Sequence, residues 1–112
     1  MNDPATIVAA FGDACNAHDV DAALSLCTND VVFESTTPPD GERVAGHASL
    51  RQIWEPIFEN PATHVEAEET IVAGDRVVQR CRYSWGEGHV RAIDVYRIRD
   101  GKVAEKLSYV KG

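Results

Sequence analysis

Residues 64–110, HVEAEETIVAGDRVVQRCRYSWGEGHVRAIDVYRIRDGKVAEKLSYV, alternate side-chain character with a period of two, and turn signals cut them into four strands. The turns are AGDR at 73–76, GEG at 86–88 and RDGK at 99–102. Asp100-Gly101 is the strongest signal, because a tight hairpin needs positive φ and glycine supplies it without steric cost. Short turns between consecutive strands predict a four-stranded antiparallel meander.

Upstream the period becomes helical. From Pro4 to His18, Ile7, Phe11, Ala14, Cys15 and His18 fall on one helix face, with Asp3 as the N-cap and Pro4 in the first turn. A shorter helix follows from Val20 to about Cys27, capped by Asp19, so the two form a hairpin. Asp30–Ser35, DVVFES, reads as a strand, and residues 36–46, TTPPDGERVAG, read as a loop. HASLRQIWEPIF, residues 47–58, places Leu50, Ile53, Trp54 and Ile57 on one helical stripe that Pro56 should kink or end. Three helices followed by a meander give an α+β fold in which the helices cover one sheet face.

With 112 residues the chain suffices for one domain over 1–112. Eighteen acidic against 11 basic residues give a net charge of -7, which repels phosphate backbones and anionic headgroups; neither nucleic acid nor membrane is the expected partner. The N-terminus MNDPATIVAAFGDAC lacks the regions of a signal peptide, so a cytoplasmic location is expected. Cys15, Cys27 and Cys81 have no ligand or disulfide spacing and read as buried free thiols. His18, His47, His64 and His89 sit at element ends in no metal-ligand spacing, so no metal and no cofactor are indicated. Glu66, Glu68 and Glu69 read as a solvated strand face.

FGDACNAHDVDAALSLCTNDVVFES at 11–35, GHASLRQIWEPIF at 46–58, AGDRVV at 73–78 and IDVYRIRDGKVAEKLSYV at 93–110 resemble SnoaL-like domains of the nuclear transport factor 2-like superfamily. That group also holds ketosteroid isomerases, polyketide cyclases and limonene epoxide hydrolases. The resemblance spans nearly the whole chain and implies a cone: a curved antiparallel sheet packed against three N-terminal helices. By the same likeness Asp94 takes the place of the isomerase's sheet aspartate, whereas Phe11 and Ser35 stand where that enzyme has a tyrosine and a basic aspartate, with Glu34 on the opposite face. A phenyl ring donates no hydrogen bond and a serine alone is too weak to shuttle a proton, so ketosteroid isomerase activity is not expected.

Alternation puts Ala92, Asp94, Tyr96 and Ile98 on one face of their strand, and Val77, Gln79, Cys81, Tyr83 and Trp85 on the concave face of its neighbour. A carboxyl in that apolar setting is either a desolvated proton-handling group with a raised pKa or a structural group tied to Tyr83, Gln79 or an arginine. Asp94 with Tyr83 as helper is the candidate catalytic pair. Gln79, Cys81, Trp85 and Tyr96 would join Phe11, Phe33, Ser35, Trp54 and Phe58 around a small hydrophobic ligand, although core packing accounts for the aromatic rings equally. The expected chemistry is acid–base isomerisation, cyclisation or epoxide hydration. Epoxide hydration needs a second carboxylate and an arginine, and Arg91 points away from Asp94 by parity. The alternative is a non-catalytic binding or dimerisation domain. On the convex face Arg80, Arg82, Arg97 and Arg99 alternate with Val78, Ile93 and Val95, a surface suited to a homodimer contact.

Overall fold

The computed structural model describes residues 3–111 and consists of α1 (Pro4–Asn16), α2 (Val20–Ser25), β1 (Cys27–Glu34), β2 (Arg43–Ala45), α3 (His47–Phe58), β3 (His64–Ala73), β4 (Arg76–Ser84), β5 (His89–Arg99) and β6 (Lys102–Val110). The carboxylate of Asp3 accepts from the Thr6 amide at 2.8 Å and that of Asp19 from the Ala22 amide at 3.0 Å, so both helix starts are capped as the sequence predicts. α1 stops two residues before His18, which takes φ 57° and turns the chain into α2. α3 continues past Pro56 to Phe58.

The strands form one curved sheet in the order β2-β1-β6-β5-β4-β3. The meander β3 to β6 is antiparallel throughout, and the Asp100-Gly101 turn has φ 55° and 72°, the paired positive values of a tight hairpin. Two expectations need correction. The sheet is mixed, because β1 runs parallel to β6. Residues 36–46 are not all loop, since Arg43–Ala45 pair with Val32–Glu34 as β2. Both departures rest on pairing between chain segments, which local propensity does not encode.

α1 packs over β3 and β4 and against α2, and α2 meets α3. Ile7, Val8, Phe11, Leu24, Leu50 and Trp54 bring their apolar faces onto Val31, Val77, Tyr96 and Val103 of the sheet. Among the described residues no helix is long and apolar enough to cross a membrane.

Candidate functional site

The concave face of the sheet carries the polar groups. β5 pairs Gln79 and Ser108 with the two sides of Asp94, and Val77 and Lys106 with the two sides of Tyr96, so all of these residues face the helices. Asp94 is wholly buried at 0% exposure. The Tyr83 hydroxyl donates to Asp94 Oδ2, and the Cys81 thiol donates to the same oxygen at 3.4 Å. Lys106 Nζ lies 3.8 Å from Oδ2. Oδ1 is buried and has no hydrogen-bond partner among the described residues. The Lys106 ammonium is held between two rings, 5.3 Å from the centre of Phe33 and 5.2 Å from that of Tyr83.

Charge and burial act together here. Burial pushes the Tyr83 pKa well up and the charge of Asp94 adds to it, so the phenol keeps its proton. Burial works against the Lys106 ammonium, but the anionic surroundings, Asp94 foremost, outweigh it and raise its pKa. Burial, followed by the Asp94 charge, lifts the Cys81 thiol to about 12. The cluster is thus a neutral phenol and a neutral thiol donating to a carboxylate that an ammonium neutralises.

A cavity of about 190 Å³ opens beside the cluster between α1, α3 and the concave sheet face. Phe11, Phe33, Trp54, Phe58, Gln79, Tyr83 and Tyr96 line it, which brings together seven of the residues singled out in the sequence. The rings pack closely: Phe33 meets Trp54 edge-on at 5.4 Å, and Trp54 stacks on Phe58 at 5.9 Å. Asn16 shapes the mouth by bracing β3, its side chain exchanging hydrogen bonds with the Val65 backbone at 2.9 and 2.8 Å.

Four of the sequence-derived residues lie elsewhere. Asp94 sits behind Tyr83 and Lys106 and does not line the cavity. Cys81 is buried beneath Asp94. Ser35 is exposed, and its hydroxyl organises the 35–42 loop by donating to Thr37 Oγ1 and accepting from the amides of Thr37 and Glu42. Trp85 follows the end of β4, where alternation stops, and is 41% exposed with its ring against Gly88. The residue that sequence reasoning missed is Lys106. Among the described residues no three His, Cys, Asp or Glu side chains gather as a metal site.

On the convex face, Arg82 pairs with Glu66 at 3.0 Å, Arg80 with Glu69 at 3.8 Å and Arg91 with Glu68 at 2.5 Å. The three β3 glutamates therefore serve as partners for arginines.

The SnoaL-like domain family model matches residues 8–106. The chain belongs to the SnoaL-like domain family. Solved structures agree with this membership. A nuclear transport factor 2-like protein of unknown function from Mesorhizobium loti is 39% identical, with 100% of this chain and 97% of that one covered at a TM-score of 0.86. A SnoaL-like protein of unknown function from Burkholderia thailandensis is 26% identical, with 97% and 94% covered and a TM-score of 0.84. A protein named as a candidate polyketide cyclase from Sinorhizobium meliloti shares the fold at 24% identity, with 93% and 94% covered and a TM-score of 0.80. No curated protein matches the sequence. A SnoaL-like fold alone does not fix chemistry, so the reaction must be argued from the cluster and its cavity.

Proposed function

We propose that this SnoaL-like protein is an acid–base enzyme of the isomerase or cyclase kind, removing a proton from a small, neutral, largely apolar carbonyl compound. The observation that carries the reading is the pair Tyr83 and Lys106 on the inner wall of an apolar cavity, with the Asp94 carboxylate in contact with both behind them. The substrate's α-proton passes to the Tyr83 oxygen as the phenolic proton moves on to the Asp94 carboxylate. The C–H electron pair becomes that of the enolate, Asp94 ends neutral, Tyr83 is a phenol again, and the new negative charge lies on the substrate oxygen beside Lys106. One anion faces one ammonium before and after the step, so no net charge is created in the buried site. Returning the proton to another carbon completes an isomerisation. Attack of the enolate carbon on a second carbonyl of the same molecule, with the proton returning to the new alkoxide, completes a cyclisation.

Size and charge narrow the substrate. A cavity of about 150 Å³ takes benzene, so about 190 Å³ suits one ring with a small substituent. A carboxylate ligand would set a second anion beside a single ammonium, which favours a neutral carbonyl. Epoxide hydration gains no support, since Arg91 is engaged by Glu68.

A second reading, a non-catalytic binding domain, is favoured by the position of Asp94 behind Tyr83. Exchange of ketone α-protons for deuterium, followed by proton NMR, separates the two. The enzyme reading expects exchange faster than in buffer; binding without faster exchange leaves the second.

The same proposal makes the protein a homodimer through its convex face. In support, the cross-strand neighbours Ile93 and Tyr109 are 43% and 57% exposed there, amid arginines whose charge the β3 glutamates balance.

A further inference from the structure

The aromatic cavity is one of two recesses that meet at Lys106 and Tyr83. The second, about 290 Å³, lies between α3 and the ends of β1 and β6, with Val44, Leu50, Ile53, Val90 and Val110 as its apolar walls. Ser108, the cross-strand neighbour of Asp94, is a polar group on its floor. Phe33, Trp54, Ile57, Tyr83 and Lys106 line both recesses. The divider is therefore aromatic and aliphatic, while the ammonium and the phenol can be reached from either side. At the rim Ile53, Ile57 and Val110 are 39%, 44% and 41% exposed.

We infer that this second recess is a subsite for the apolar arm of the same substrate whose carbonyl oxygen rests at Lys106, the substrate class being a cyclic or aryl ketone with a hydrocarbon chain of several carbons. The placement of the carbonyl rests on the acid–base reading above. The occupant follows from continuity and size. The inner cavity is filled by about one ring, and anything longer that keeps its oxygen at Lys106 either leaves through the mouth beside Asn16 or runs into the neighbouring space, where it meets further apolar walls. That space is a small recess of about 290 Å³ that reaches Tyr83 and Lys106, whereas a protein partner needs about 1,000 Å² or more of matched surface. An extended hydrocarbon arm suits the aliphatic walls, with Glu34, Ser35 and Thr36 forming a polar edge, and each methylene buried adds affinity.

The test compares acetophenone with hexanophenone by amide NMR titration of the whole protein. Acetophenone should shift the Gly12, Cys15 and Tyr83 amides. Hexanophenone should also shift those of Ile53 and Ser108, and should bind at least tenfold more tightly. Ile53→Phe and Val110→Phe, which narrow the recess from opposite walls, should remove that gain and leave acetophenone binding unchanged. Affinity independent of chain length, failure of both ketones to bind, or equal weakening of both by the narrowing variants would overturn the subsite. So would movement of the Ile53 and Val110 amides on dilution but not on adding ketone, which would assign the recess to a second copy of the chain. Chain-length-dependent binding without proton exchange would defeat the acid–base reading alone, and exchange without chain-length dependence would defeat the subsite alone.

Discussion

Asp94 is a buried carboxylate with one oxygen bound by Tyr83 and Cys81, an ammonium 3.8 Å away, and no hydrogen-bond partner for its other oxygen among the described residues. Removing the ammonium alone leaves that charge stranded. Lys106→Met should therefore destabilise the fold by about 3–5 kcal/mol, and Asp94→Asn added to it should cost far less than the sum of the two single changes. Additive losses in urea unfolding would contradict the pairing. The site's titrations set a pH limit of a definite sign. Burial pushes Cys15 to about 11 and Cys27 and Cys81 to about 12, and holds Tyr83 and Tyr96 well above the ordinary phenol value. In the unfolded chain thiols titrate near about 8.5 and phenols near about 10. Folded pKa values above the unfolded ones give stability that is complete below about pH 8.5 and lost as pH climbs toward the folded values. Each proton accounts for about 1.4 kcal/mol per pH unit between the two values. The urea midpoint should hold to about pH 8 and fall from about pH 9, more gently in Cys81→Ala; a midpoint level to about pH 11 would contradict the burial argument. Strand parity in the sequence assigned Asp94, Gln79, Tyr83 and Tyr96 to the concave face, but it assigned no role to Lys106.

The reason lies in one strand. Counted back from the Asp100-Gly101 turn without interruption, Lys106 falls opposite Val95, on the convex face. A bulge intervenes: Ile98 pairs with Val103 but Arg97 with Glu105, and the consecutive residues Val103 and Ala104 are both buried, at 0% and 8% exposure. A slip of one residue turns every later side chain over, so Lys106 enters the site. In the sequence, the break in alternation at the consecutive apolar residues Val103 and Ala104, just before Glu105 and Lys106, is the signal that points to it. Periodicity made the helices and the meander legible, and the caps Asp3 and Asp19 fixed the starts of α1 and α2. The parallel pairing of β1 with β6 was not legible, since it joins segments separated by most of the chain. β2 was hidden by the Pro and Gly around it, and its hairpin depends on Gly41, at φ 81°, where a Cβ would lie 2.3 Å from the Ser35 carbonyl oxygen. Gly41→Ala should cost about 1–3 kcal/mol from backbone strain at positive φ, with the contact adding to it. Unfolding with no loss would contradict that account of the loop.

The whole molecule carries a net charge of -7, yet its convex face balances arginine against glutamate and exposes Ile93 beside Tyr109. Charge balance with an apolar centre suits self-association. Sedimentation should give twice the chain mass, and Ile93→Arg should halve it without changing the circular dichroism spectrum; a monomeric wild type would remove the dimer. The 39% identity to the Mesorhizobium loti protein over the full chain, and the family match over residues 8–106, secure the architecture and leave the chemistry to the cluster. The most direct test of that chemistry is deuterium exchange into the methyl group of acetophenone at neutral pH, wild type against Tyr83→Phe, with binding of the ketone checked in both. The relay predicts exchange above the buffer rate in the wild type and a loss of about 10²–10⁴-fold without the phenol oxygen. Equal exchange by the two proteins, with the ketone bound in each, would contradict it.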